Sequence, residues 1–282
     1  MMADLEGIEI IHRFNILRAS SSLSQIKWFK ENNKKVILTP IYWNMSEFLA
    51  YYSPERLKFW NYEQKKRQEI LNMVDYLAPN GKSELLMMQR DFNFNLDYNY
   101  IYNGVEKFFE SDNDYEKRKY ILAVGRIHPR KNQLRMIRAV KELKLPVFFI
   151  GKINDRNYFR RCEKEAKGSM IKFFNEVPRE DLKNYYKNCR VHMMVSWYDT
   201  PGLVNLEAGL AGSNLVLTDR GTTKDYFKDL AFYSSPLNID LIKEKVKKAY
   251  YKDPENKIKK LILENYTWDK IAIELKELYK EI

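Results

Sequence analysis

SWYDTPGLVNLEAGLAG, residues 196–212, sets two acids, Asp199 and Glu207, on either side of seven uncharged residues. The Pro201–Gly202 break predicts a helix that opens on Leu203 and Val204 and runs through small residues. The apolar run before it, VHMMVS, predicts a strand. A helix start offers unpaired N–H groups that attract an anion. Acids placed beside it therefore point to a different task, such as accepting hydrogen bonds from hydroxyls. Taken singly, Glu207 also reads as a solvated helix residue and Asp199 as a turn residue.

Outward from this stretch, short apolar or β-branched runs alternate with helical patterns. IEIIHRF (8–14), KVILTPI (35–41), YLAP (76–79) and NYIYNG (99–104) read as strands, with a long helix from Ser53-Pro54 between the second and third. VEKFFESDNDYEKRK (105–119) is polar, acidic and then basic, and reads as a linker. The alternation then restarts with YILAVG, PVFFIG, MIKFF, VHMMVS, NLVLTD and LAFYSS as strands, helices falling between them and at 239–251 and 254–264. Strand–helix alternation implies parallel sheets covered by helices, here an α/β chain of two Rossmann-like domains. Ligands of such domains bind at the carboxyl ends of the strands.

VGRIHPRKNQ, residues 124–133, supplies the complement to the acids. A strand ends at Gly125, a basic loop follows, and a helix starts near Lys131, so that Arg126, Arg130 and Lys131 stand where a phosphate is bound. Alone, the segment also reads as a surface loop with ordinary cations. It contains neither the dinucleotide fingerprint nor the P-loop pattern. With the amides of Gly202, Leu203 and Val204 on the same rim, the cations make a diphosphate site, and the acids remain free for hydroxyls. A diphosphate plus hydroxyls describes a nucleotide sugar.

The 282 residues carry 49 basic and 38 acidic side chains, a net charge of +11, which favours anionic partners including an acidic membrane face. A lysine-rich solvated surface accounts for the same excess. No RNP-like motif accompanies the 20 tyrosines, and a nucleic-acid partner is not expected. The start has no basic region followed by an apolar core, no run spans a bilayer, and a cytoplasmic protein is the expectation. Two cysteines and three histidines, all scattered, make a metal site improbable.

VGRIHPRKN, FFNEVPREDLKNYYKNCRVHMMVSWYDTPGLVNLEAGLAG and LTDRGTTKDY stand in the order and spacing of the donor domain of family 4 retaining glycosyltransferases, the glycosyl transferases group 1 of GT-B fold. The chain resembles that family strongly over about 120–235. The likeness runs back through YLAPNGKSE and YIYNGVEKF and forward to NYTWDKIAIELKELYKEI, similar to the family's closing helix. The resemblance implies a partial N-terminal, acceptor-side domain at 1–110, a nucleotide-sugar-binding domain at 111–266, and a helix at 267–282 that returns to the first domain. It implies that Gly125, Arg126 and Lys131, with the Gly202, Leu203 and Val204 turn, hold the donor diphosphate. Glu207 would take the ribose hydroxyls, Val177 would lie along the base, and Asp199 would face the donor sugar. Asp199, Arg126 and Lys131 are the implied catalytic residues.

The likeness departs from the family in two places. The first acid of the motif is usually glutamate and is here Asp199, one methylene shorter. The chain opens at IEIIHRFN, matching a strand well inside the family's first domain, so that its opening strands and glycine-rich loop are expected to be missing. The family's histidine after the next strand is replaced by Tyr42 and Trp43 in TPIYWN; His12, Tyr42 and Trp43 are the expected acceptor-side residues. The implied activity is metal-independent, cofactor-free, retaining transfer of a sugar from a nucleoside diphosphate to a glycan or lipid-linked acceptor, as in surface polysaccharide assembly. Peripheral attachment to the inner membrane face and self-association through an uncovered sheet edge are further expectations. A partner-dependent nucleotide-sugar-binding module, a basic nucleic-acid-binding α/β protein and a glycoside hydrolase are the rival readings.

Overall fold

The computed structural model describes residues 5–111, 115–253 and 255–282. They divide into two compact units: residues up to Tyr102 together with Ala272–Ile282, and Asn103–Ile271. The smaller unit holds a parallel sheet of β1 (Ile10–Phe14), β2 (Lys35–Thr39) and β3 (Tyr76–Leu77), with β2 central. Val36, Ile37 and Leu38 of β2 are fully buried, as a strand covered on both faces requires.

Helices α1 (Ala19–Glu31), α2 (Ser46–Tyr52), α3 (Pro54–Leu71) and α4 (Lys82–Asp91) surround that sheet. Three of them are not announced by the sequence. α1 opens on a serine run, poor helix-forming material, yet Ala19, Ser22, Leu23 and Ile26 are buried at helical spacing, and packing overrides propensity. The expected strand at 99–104 does not form. The chain runs beside β3 with Asn99 N donating to Leu77 O and Ile101 N to Pro79 O, but it forms an isolated bridge, Leu77 to Tyr98, and not a strand.

The larger unit is a six-stranded parallel sheet in the order β6-β5-β4-β7-β8-β9. Its strands are β4 (Tyr120–Val124), β5 (Val147–Ile150), β6 (Ile171–Phe174), β7 (Cys189–Met194), β8 (Asn214–Thr218) and β9 (Phe232–Ser234). The helices are α5 (Gln133–Val140), α6 (Arg156–Ala166), α7 (Arg179–Lys187), α8 (Leu203–Leu210), α9 (Thr223–Phe227), α10 (Ile239–Tyr251) and α11 (Lys257–Asn265); a last helix, α12 (Trp268–Glu281), starts in this unit and belongs to the smaller one from Ala272 on. The chain reverses its direction of winding between β4 and β7, and the crevice beyond their carboxyl ends is the place such sheets bind ligands.

The segment 105–119 is no linker where it is described; residues 112–114, and Pro254 at the start of the expected 254–264 helix, lie outside the described residues. Val105 pairs with Thr267, and Phe109 is buried edge-on to Tyr186 at 5.6 Å between ring centroids. Ser111 donates to Ala211 O, and the buried Arg118 donates to Cys189 O at 3.0 Å. These contacts carry the larger unit back to Asn103, ahead of the expected boundary at residue 111. No helix among the described residues is long and apolar enough to cross a membrane.

Candidate functional site

Because β4 pairs with β7, with Ile121 opposite Val191 and Leu122 opposite His192, the loops that follow these strands emerge side by side. The β4–α5 loop is tied down by buried Asn132, in the left-handed region at φ 61°. Its Nδ2 donates to Val195 O and Pro236 O at 2.9 Å each. Trp197 N donates to Arg130 O at 3.0 Å and joins the two loops directly. Lys131 ends a short 3-10 turn, Pro129–Lys131, and its ammonium donates to Asp199 Oδ1 at 2.7 Å. Arg126 stays exposed on the rim, its carbonyl held by Gln133 Nε2 at 2.9 Å.

Asp199 sits in a tight corner. Its carbonyl accepts from Thr222 N at 3.0 Å, and a Cβ on Gly221 would lie 2.0 Å from that oxygen, so only glycine allows the approach. Gly202, at φ 83°, starts α8 where a Cβ would meet Asn205 Nδ2 at 2.9 Å and the Asp199 carboxylate at 3.4 Å. Asp199 is 6% exposed, and its Oδ2 is buried without a hydrogen-bond partner. One carboxylate oxygen thus neutralises Lys131 while the other is buried and unpaired.

A cavity of about 430 Å³ adjoins these loops, and Gly125, Arg126, Val177, Leu203 and Glu207 line it together. Glu207 accepts from the Tyr186 hydroxyl at 2.8 Å. Burial raises the pKa of its carboxyl group, against the lowering effects of the Tyr186 bond and of Arg179. Lys131, Asp199 and Gly202 do not line the cavity; Lys131 comes near its wall at Gly125, where a Cβ would lie 3.8 Å from Lys131 Cε. Val204 is half-buried and does not line it. Gly104, Glu106, Phe109 and Trp268 are part of the same wall; Trp268 lies against Gly104, where a Cβ would meet the indole at 2.8 Å. Trp268 carries no signal in the motif spacing, since the Val105–Thr267 pairing that brings it here is tertiary.

The three residues expected on the acceptor side belong to the framework of the smaller unit. His12 stands midway along β1, not at its end, and both ring nitrogens are engaged, with Tyr279 Oη at 2.7 Å and Thr39 Oγ1 at 2.8 Å. Burial pushes its pKa down to about 4. After β2, Ile41 at φ 48° turns the chain inward, a costly conformation for a β-branched residue. Tyr42 is thereby fully buried, its hydroxyl donating to Asp91 at 2.8 Å, and Trp43 packs on Phe48. Neither presents a face to an acceptor.

The model of the family glycosyl transferases group 1 matches residues 104–276. An uncharacterized glycosyltransferase of Methanocaldococcus jannaschii is 28% identical over 206 residues, covering 64% of this chain and 53% of that protein. The chain therefore spans about half the length of the curated relative it matches. Among solved structures, sucrose-phosphate synthase from Thermosynechococcus elongatus superposes with a TM-score of 0.82 at 16% identity, over 98% of this chain and 74% of that one. HepE from Anabaena, in complex with UDP and glucose, gives 0.77 at 12% identity over 97% and 78%. A UDP-forming trehalose-phosphate synthase from Burkholderia xenovorans, in complex with glucose-6-phosphate, gives 0.73 at 13% over 96% and 71%. These likenesses establish the fold, the α/β architecture of GT-B proteins.

Proposed function

The chain belongs to the family glycosyl transferases group 1, and from that premise we propose that it transfers a sugar, with retention, from a nucleoside diphosphate to an acceptor hydroxyl. The observation that carries this reading is the meeting of Lys131, Asp199 and the α8 start at the ends of β4 and β7, beside a cavity lined by Glu207 and Val177. As the anomeric C–O bond breaks, its electron pair leaves on the diphosphate, and the acceptor oxygen takes its place. Negative charge grows on the departing group. Arg126, Lys131 and the first amides of α8 would stabilise that charge, the kind of aimed stabilisation that contributes most to catalysis. Glu207 would accept from the ribose, and the backbone at Val177 would follow the base. The unpartnered Oδ2 of Asp199 would take a hydroxyl of the donor sugar.

With two side-chain cations at the leaving group, transfer should need no metal and should survive a chelator. The relatives bound to UDP, glucose and glucose-6-phosphate support a nucleotide-sugar donor and a hydroxyl acceptor. The acceptor of this chain would be a glycan or lipid-linked sugar of a surface polysaccharide. The test is calorimetric titration with UDP, GDP and ADP, followed by NMR of the anomeric proton in the product of the matching nucleotide sugar. Absence of binding by all three diphosphates would overturn the reading; an inverted anomer would overturn retention alone.

Anionic lipid on the cytoplasmic side is the partner that best fits the charge. On α3, Lys58, Phe59, Tyr62 and Lys65 fall on one exposed face, Phe59 being 64% and Tyr62 61% exposed. Interleaved aromatics and lysines suit a headgroup layer. Flotation with acidic vesicles, lost at high salt and in Phe59→Ser, is the expected result; flotation on neutral vesicles alone would contradict it.

A further inference from the structure

Between β7 and α8 lies a fully buried polar pair that the proposed chemistry does not use. His192 Nε2 is 3.1 Å from Asn205 Oδ1, and Asn205 Nδ2 donates to Pro201 O at 2.6 Å. The second imidazole nitrogen, Nδ1, is buried with no hydrogen-bond partner. Burial, with Lys131 adding to it, pushes the imidazole down to about 3, so His192 is neutral and donates through Nε2. That donation fixes the Asn205 amide with its NH2 group toward the Pro201 carbonyl.

Filling this space does not call for polar groups. The neighbours in sequence, Val191, Met193, Met194 and Leu206, are all buried and apolar, and a buried polar pair costs desolvation that an apolar pair avoids. What the polar pair adds is direction. Asn205 is the third residue of α8; its backbone N donates to Gly202 O at 2.9 Å while its side chain holds Pro201 O. The same amide nitrogen stands 2.9 Å from where a Cβ on Gly202 would lie, and the Asp199 carboxylate flanks that point from the other side at 3.4 Å. The side chain of Asn205 thus holds the Pro201 end of the turn from which the first amides of α8 emerge, and its backbone N holds the Gly202 end.

We infer that His192 and Asn205 are positioning residues, which hold the Pro201–Gly202 turn so that the first α8 amides and Asp199 meet a donor diphosphate together. This rests on the donor-site reading above. The experiment compares His192→Phe, Asn205→Leu and the double variant with the parent, measuring Tm and affinity for UDP, UMP, GDP and GMP. Each single variant strands a buried polar group and should lower Tm; the double variant strands only the Pro201 carbonyl, so it should recover part of what Asn205→Leu loses. Its preference for the diphosphate over the monophosphate should nevertheless fall roughly tenfold, the change expected when a turn aimed at one phosphate shifts.

His192→Gln keeps an N–H for Asn205 Oδ1 and should retain most of that preference. A double variant that binds the diphosphate as the parent does overturns the inference, as does equal loss of mono- and diphosphate affinity, which marks the pair as structural. If the double variant does not fold, His192→Gln against His192→Phe decides: equal loss in both overturns it. A parent that binds none of the four probes overturns the donor site itself, and this inference with it.

Discussion

Each unit starts a helix from the end of a parallel strand and brings a carboxylate to that start, but the two arrangements are opposite. In the smaller unit, α1 is closed by Glu63, whose carboxylate accepts from Ser20 N at 3.0 Å and from Ser20 Oγ at 2.7 Å. Lys66 balances the buried acid at 2.8 Å, and Glu63 is 2% exposed. In the larger unit, no acid among the described residues is bonded to the first amides of α8. Asp199 goes to Lys131 and Glu207 to Tyr186, and the helix start remains open beside the cavity. The same supersecondary unit is therefore a plugged anion site in one place and an open one in the other. What differs is whether a distant residue of the chain supplies the anion.

The most forceful way to break this contrast is Lys131→Ala. It leaves Asp199, 6% exposed, without its cation, and removing one member of a buried pair costs about 3–5 kcal/mol. Chemical denaturation should show that loss, and Asp199→Asn in the same background should recover much of it. Turnover should fall further than donor affinity, because in the proposed reaction Lys131 would meet charge that grows in the transition state. Equal losses would reduce Lys131 to a binding residue.

Glu207→Ala should weaken nucleoside diphosphate binding by about 1.5–3 kcal/mol, the worth of a hydrogen bond to a charged group, with the far-UV spectrum unchanged. Unaltered titration curves would remove Glu207 from the site. Glu63→Ala sharpens the comparison from the other side. Stability should fall by about 1–2 kcal/mol, as for a lost helix cap, while nucleotide affinity holds. Sulfate should then restore part of the Tm in this variant only, by occupying the vacated α1 start. No sulfate effect would mean that Glu63 is more than a plug.

The smallest effect concerns pH. Burial raises the pKa of Glu207, so its protonated form is favoured on folding. Its contribution to stability is full below the ordinary carboxylate pKa and is lost as pH rises through the raised value. Glu207→Gln lacks this loss, so the Tm advantage of the variant over the parent should widen as pH climbs out of the acid range. A constant difference would place the charge cost of Glu207 in the ordinary range.

Much of the larger unit is legible in the sequence because its signals are local. Each strand from β4 to β9 is an apolar run bounded by turn residues, and Gly125, Gly202 and the cations of 126–131 announce the loops between them. The smaller unit misleads for the same reason. The serine run of α1 gives no helix signal and NYIYNG mimics a strand, and at the start of the larger unit VEKFF mimics a linker until Phe109 finds Tyr186. His12, Tyr42 and Trp43 carry chemistry by residue type alone, and the φ of Ile41 and the bonds of His12 to Thr39 and Tyr279 turn them into framework.

By itself, the sequence determined that two parallel α/β units exist, and that the cations at 126–131 and the acids at 199 and 207 follow strand ends. Periodicity and turn chemistry act within a few residues and survive in the bare string. Only the tertiary structure decided that β4 lies against β7, that Lys131 therefore meets Asp199 rather than solvent, and that Glu207 is held by Tyr186. It also decided that Glu63 reaches 43 residues back to close α1, while among the described residues no carboxylate is bonded to the first amides of α8. Partners so far apart are chosen by how buried faces pack and by which charges must be neutralised once water is excluded, and no local pattern encodes that choice.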